Sequence, residues 1–226
     1  MLAVLKKELK SYLLTPIGYM YIGLFLLIFS LFFYVSLFQN RSVNFEYLFI
    51  NGATILTFIT PLLTMRAFSE ERKNGTEQLL LTSPRSITSI VLGKFFAAAV
   101  VLIITEVFTL GYFAILSKFG NPSIFVAIGT LCGFLLLSLC YISFGLFASS
   151  VTENQIVAAI FSIGVFMAMW FLPSASDWFV PFSLLYKFEN FPVGVISISE
   201  ICSFLVFIIT FLLLTIIVMQ KRKSLK

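Results

Sequence analysis

The chain has no histidine, and charged residues fill only 11% of its 226 positions. The first absence removes the commonest general base near neutral pH and the commonest metal ligand. The second is less than half of the roughly 25% usual in a soluble domain, so no water-soluble catalytic domain fits here. Three cysteines, Cys132, Cys140 and Cys202, all lie within apolar runs. Their odd number and lack of paired spacing suggest neither a disulfide framework nor a zinc site, and membrane-buried thiols are the simpler reading. No G-x-x-x-x-G-K-[ST] loop, H-E-x-x-H helix or serine with a base partner occurs; Gly93-Lys94 is followed by Phe95 and lacks a matching upstream glycine. The chain is therefore expected not to be an enzyme, to hold no metal, and to cradle no nucleotide phosphate of its own.

What remains is apolar: 60% hydrophobic residues, 28 of them phenylalanine, with a mean hydropathy of +1.05. A helix needs about 20 apolar residues to cross the hydrocarbon core. Six runs reach or approach that length: Ile17 to Phe38, Leu48 to Met65, Phe95 to Leu116, Ile124 to Ser149, Ile156 to Leu172, and Glu200 to Gln220. The composition thus predicts an all-α integral membrane protein with six transmembrane helices. Ahead of the first span, residues 1–15 place Leu2, Leu5, Leu9, Tyr12 and Leu13 at helical spacing with Lys6, Lys7 and Lys10 on other faces. That pattern fits an amphipathic helix in the membrane interface, with an ordinary basic tail as the alternative. The basic start is followed by a run too long for a signal-peptide core, so the first span is expected to remain in the mature protein.

Charge asymmetry sets the expected orientation. Lys6, Lys7, Lys10, Arg66, Arg72, Lys73, Arg85, Lys94, Lys221, Arg222, Lys223 and Lys226 fall on one side, and only Arg41, Lys118 and Lys187 on the other. Twelve against three puts both termini in the cytoplasm. The net charge of +5 then records topology and contact with anionic membrane lipids rather than a nucleic-acid partner.

One stretch breaks the apolar pattern: PLLTMRAFSEERKNGTEQLLLTSPRSITSIVLGKFF, Pro61 to Phe96. The second span runs on as RAFSEERK until Asn74-Gly75, a helix C-terminal signal. A short helix TEQLLLT follows, then another begins near Pro84 with Ser83 or Ser86 as N-cap and continues into the third span. Leaving Leu79, Leu80 and Leu81 in water forgoes about 1.5 to 3 kcal/mol for each side chain that can be buried. Their cover is either lipid and the chain's own spans, or a protein docked on an apolar centre rimmed by Glu70, Glu71, Arg72, Lys73 and Glu77.

Elsewhere, Glu106 lies near the middle of the third span, where an acidic residue costs about 2.5 to 3.5 kcal/mol on insertion scales. It is expected to face the bundle interior, as part of an ion or proton path or as a structural hydrogen-bonding group. Gly129 and Gly133 form a small-xxx-small face that suits close approach, within the chain or between copies. Glu153, Asn154 and Gln155 read as a polar turn opening a helix whose dipole favours an acid there. The external segment 173–199, rich in Trp, Phe and Tyr, is expected to dip partly back into the membrane.

PLLTMRAFSEERKNGTEQLLLTSPRSITSIVLGKFFAA resembles the signature between the second and third spans of bacterial type-2 ABC exporter permeases, particularly those similar to gliding-motility and nitrous-oxide-reductase maturation permeases. KKELKSYLLTPIGYMYIGLFLL, TENQIVAAI and FENFPVGVIS extend the likeness along nearly the whole chain. The resemblance implies one type-2 transmembrane domain over residues 1–226, in the inner membrane of a bacterium, exporting a substrate. It implies two cytoplasmic ABC ATPase subunits that bind the ATP and Mg, and a second permease copy or paralogue. It also implies a coupling segment over 66–94, with Arg66, Glu70, Glu71, Arg72, Gly75, Thr76, Glu77, Leu79, Leu80 and Pro84 as candidates. Any accessory external subunit is a separate chain, since the loop after the first span is short. Rival readings are an ATP-independent channel or secondary transporter using Glu106, and an assembly scaffold.

Overall fold

The computed structural model describes residues 1–39, 45–78, 85–118, 123–175 and 177–224. Among them every regular element is a helix and there are no strands. Helix α1 (Leu2–Leu14) stops at Thr15, whose extended backbone (ψ 155°) is the conformation a following proline imposes. Pro16 then starts α2 (Pro16–Tyr34), at the position where its missing N–H costs nothing. A π-helical turn, Val35–Gln39, carries α2 further. Next come α3 (Phe45–Thr64) and α4 (Arg66–Lys73), nearly one rod broken at Met65. Asn74 ends α4, and Gly75 takes φ +72°, a left-handed backbone that glycine adopts without a Cβ penalty.

Helix α5 (Ile87–Leu116) is capped by Ser86, whose hydroxyl accepts from the Ser89 N–H, so it begins two turns ahead of its apolar run. Helix α6 (Ile124–Val151) is capped likewise by Ser123, and α7 (Gln155–Ala175) follows a three-residue turn. After a 3-10 turn, Asp177–Phe182, come α8 (Leu184–Phe188) and α9 (Ile198–Ser224). Among the described residues six helices are long and apolar enough to cross a membrane: α2, α3 with α4, α5, α6, α7 and α9. The protein is an all-α integral membrane protein.

Helix α6 is the hub, packed against α3, α5, α7 and α9. An aromatic cluster fills the middle, with Phe49 edge-on to Phe134 at 4.9 Å and to Phe29 at 5.3 Å between ring centroids. Toward the outside, Leu27, Leu31, Ile156, Ile160, Val206 and Leu213 stay exposed on α2, α7 and α9. Water would penalise so broad an apolar surface, whereas lipid chains wet it. Hydroxyls inside the spans donate back one turn, Ser138 to the Phe134 carbonyl at 2.6 Å and Thr215 to that of Phe211 at 2.7 Å. This keeps polar groups satisfied within their own helix, as a bilayer requires.

The small pair on α6 receives the chain's own segment between α7 and α9. A Cβ on Gly133 would stand 2.5 Å from Phe191 Cγ, and one on Gly129 3.0 Å from Ile196 Cδ1. Leu184, Leu185, Phe188 and Phe191 of that segment are buried, while Trp178 and Phe182 are exposed. Helix α1 lies against α5 and α2. Its inward side is Val4 and Tyr12, with Leu9 packed beside them and Glu8 between, while Leu2 of the expected apolar stripe points outward.

Candidate functional site

At the end of the bundle that carries both termini, charged side chains cross-link five helices. Lys94 is the centre. The Ser86 cap sets it two turns into α5, where it is 2% exposed. Its ammonium donates to the Ala67 carbonyl at 2.7 Å, to Glu71 Oε1 at 2.9 Å and to Glu8 Oε1 at 3.2 Å. All three donors of the group are thereby used. The Phe68 ring also lies 5.2 Å from the cation. One lysine of α5 therefore binds the first helix and α4 together. Lys7, largely exposed, adds weak pairs to Glu8 at 3.6 Å and Glu71 at 3.8 Å.

Helix α4 is held on its other sides too. Ser149, near the end of α6, accepts from the Phe68 N–H at 3.0 Å and the Ser69 N–H at 3.1 Å, and donates to the Met65 carbonyl at 2.9 Å. One hydroxyl thus serves the backbone groups freed at the α3–α4 break. Arg66 forks onto Glu70 with two bonds of 2.6 Å. Arg72 reaches the Val151 carbonyl at 3.2 Å and Glu153 at 2.6 Å. Arg222 of α9 meets the same carbonyl at 3.3 Å and Glu77 at 3.1 Å. Two guanidinium groups therefore share the last carbonyl of α6, the negative end of its dipole.

Among the candidate coupling residues, Glu70, Glu71, Arg72 and Glu77 are thus engaged inside the chain. The exposed tip at the end of α4 is Lys73, Asn74, Gly75, Thr76 and Gln78, with the Thr76 hydroxyl donating to the Glu71 carbonyl at 3.2 Å. Leu79, Leu80 and Pro84 lie outside the described residues. In the turn before α7, Asn154 Oδ1 accepts from the Ile156 N–H at 2.9 Å, Glu153 serves Arg72, and Gln155 opens the helix. Beside Lys94 lies an open cleft of about 730 Å³, lined by Lys7, Glu8, Tyr12, Arg66 and Glu71 among others.

Glu106 is 7% exposed and faces the bundle interior. The hydroxyls beside it are committed to backbone, Thr105 to the Val101 carbonyl at 2.9 Å and Thr109 to the Glu106 carbonyl at 2.6 Å. One carboxylate oxygen has no partner. Among the described residues no group of His, Cys, Asp and Glu is arranged to hold a metal.

Sequence reasoning did not single out Glu8, Lys94, Ser149 or Arg222 as site residues. A signal existed for two of them. Lys94 sits between apolar residues of the helix that becomes the third span, and Glu8 falls midway between Val4 and Tyr12 at four-residue steps. Ser149 and Arg222 had none, because their partners are distant in sequence.

A bundle of six apolar helices long enough to cross a membrane, with one strongly charged end, fits the frame of a membrane permease. The family comparison gives the particular kind: the model of the ABC-2 family transporter protein matches residues 2–189. The chain belongs to that family, as an ABC permease subunit and a multi-pass protein of the inner membrane. The match starts in α1 and runs past α8, so it takes in α4, Lys94 and the α6–α7 turn. Permeases of this family normally work with ATPase partners. No curated protein matches the chain.

Proposed function

We propose that this chain couples ATP hydrolysis by separate cytoplasmic ABC ATPase subunits to export of a substrate, and that the segment 66–94 is where the ATPase pushes. The observation that carries this reading is the contrast within one short stretch. Helix α4 is bonded to α5, α6 and the turn before α7, and through Lys94 to α1, while the tip at its end, Lys73 to Thr76, is exposed. A load applied at the tip is passed through these bonds to the helices around α4. Transmission also needs two states with different contacts.

In this reading the basic end is cytoplasmic, on the strength of the lysine and arginine asymmetry. ATP and Mg belong to the ATPase, and the permease works with a second copy or a paralogue. An accessory external subunit, as a separate chain, completes the proposed set of partners. The test is affinity purification of the tagged chain from its native membrane in mild detergent. A copurifying ATPase with a phosphate loop, lost when Leu79 and Leu80 are both changed to aspartate, is the expected outcome. Undiminished substrate-stimulated ATPase activity in that variant counts against the coupling role.

The unpartnered carboxylate oxygen of Glu106 favours a second reading, an ATP-independent channel or secondary transporter. It predicts flux driven by an ion gradient without nucleotide and abolished by Glu106→Gln.

A further inference from the structure

The open cleft of about 730 Å³ beside Lys94 lies between α1 and α4. Thr15 and Ile17 line it where the first span begins, and Asn74 and Thr76 line it at the exposed tip. It therefore reaches from the membrane boundary, the level of lipid headgroups, out to the water side. Seven charged side chains line it: Lys7, Arg66, Arg85 and Lys94 against Glu8, Glu70 and Glu71. The three acids are all taken within the chain. Glu70 receives two bonds from Arg66, while Glu8 and Glu71 share the ammonium of Lys94. Two cations are left without a short bond. The Lys7 side chain is 68% exposed and comes no nearer to Glu8 and Glu71 than 3.6 and 3.8 Å. Arg85 is exposed and makes no ion pair among the described residues. Four cations against three acids leave the cleft one positive charge in excess, at the level where a membrane presents its phosphates.

We propose that this cleft binds the phosphate of one anionic phospholipid, a diester with an uncharged headgroup such as phosphatidylglycerol, through Lys7 and Arg85. Guanidinium and ammonium groups are the usual partners of phosphate oxygens. Ser11, one turn along from Lys7 on the same face of α1, lines the cleft as a further donor. The charge selects the class of lipid. A diester carries one negative charge and cancels the excess, whereas a zwitterionic lipid brings its own ammonium and leaves the excess unmet. The apolar end of the cleft gives the acyl chains their exit. Beyond Ile17, Tyr19 and Met20 of α2 are 63% and 68% exposed, an apolar side for the chains to cover. A soluble phosphate offers the same anion without that second contact. Bound there, the lipid ties α1 to the start of α5, beside the tip of α4. It is a resident of the fold rather than cargo, and the proposal does not depend on ATPase coupling. The attraction of a basic end to anionic lipid is thereby given one place: Lys6 and Lys10, exposed on the same helix, do not line the cleft.

The test uses the full chain in mild detergent, stripped of lipid, without nucleotide or ATPase, and reads its unfolding temperature. Phosphatidylglycerol, phosphatidylcholine or inorganic phosphate is added at constant ionic strength, the lipids in mixed micelles, since a ligand bound only by the native state stabilises it saturably. The expected result is a saturable rise with phosphatidylglycerol that the other two do not give. Lys7→Gln and Arg85→Gln each raise the half-saturating phosphatidylglycerol concentration about fivefold or more, and together they abolish the rise. Both side chains are exposed and lack short internal bonds, so the variants keep the fold. Lys6→Gln with Lys10→Gln removes the same charge from other faces of α1 and leaves the titration unchanged. The proposal is overturned if the wild type shows no rise specific to phosphatidylglycerol, or if the rise survives in the Lys7 and Arg85 double variant. An equal loss in the Lys6 and Lys10 pair overturns it as well, since the attraction is then diffuse. Equal stabilisation by inorganic phosphate overturns the lipid and leaves a soluble anion in its place.

Discussion

The two ends of this bundle are held by different physics. At the basic end, Lys94, Arg72 and Arg222 reach acids and carbonyls across long gaps in sequence, through bonds that exchange partners without repacking a core. At the opposite end, the segment after α7 is set into α6 by shape, with Phe191 against Gly133 and Phe188 against Phe134. Packed interiors do not deform continuously, and a lost fit is lost outright. An end made of ion pairs tolerates a second arrangement at modest cost, whereas an end made of interlocked rings resists one. Motion is therefore expected to enter at the basic end and to pivot against the other.

The comparison breaks first at Lys94. Lys94→Met leaves Glu8 and Glu71 buried and facing each other without a cation, a loss of about 3 to 5 kcal/mol for a buried pair stripped of one partner. Thermal unfolding in detergent should show it, and adding Glu8→Gln and Glu71→Gln to the same chain should recover most of it. A single change that leaves stability untouched would mean that Lys94 does not organise this end. Next is Gly133→Ala, which sets a methyl 2.5 Å from the Phe191 ring. Overpacking of this kind costs about 1 to 3 kcal/mol. Phe191→Leu in the same background should relieve it, which a mere helix-propensity effect would not show.

These two sites also mark how far the sequence is legible. Six spans, the Gly75 turn and the Ser86 cap follow from local rules, because hydropathy and capping act within a few residues. Gly129 and Gly133 announced a close approach but not its occupant, since nothing in a helix says which distant segment fills its groove. Likewise the acids Glu70, Glu71 and Glu77 formed a recognisable charged rim. That Glu71 and Glu77 face inward, to Lys94 and Arg222, depends on α1, α5 and α9 meeting at α4. Lys94 was read as a topological charge for the same reason: its burial is created by tertiary contacts with Ala67, Phe68 and Glu8.

A finer test at the basic end is a double-mutant cycle on Arg72 and Glu153. Their side chains are 28% and 63% exposed, so solvent screens the pair. A coupling energy of roughly 0.2 to 1 kcal/mol is expected, and it should shrink as salt is raised from low to physiological strength. A salt-independent coupling of several kcal/mol would place the pair in a drier setting than its exposure implies.

The smallest effect belongs to Glu189, at the end of α8 beside a cavity of about 330 Å³ lined by Trp170, Pro173 and Tyr186. Partial burial pushes its carboxyl above the ordinary carboxylate range. The native state then holds this proton at pH values where the unfolded chain has released it. Stability falls as pH rises from the ordinary carboxylate value through the raised one, and stays lower by a constant amount above it. The group is largely exposed, so the loss is about 0.5 kcal/mol or less after allowance for solvent. Glu189→Gln removes the titration. The difference in unfolding temperature between variant and wild type should therefore be near zero in acid and favour the variant at pH 8. Because the other carboxylates titrate alike in both proteins, that difference isolates the packed end. A difference of the opposite sign would mean that a cation, rather than burial, governs Glu189.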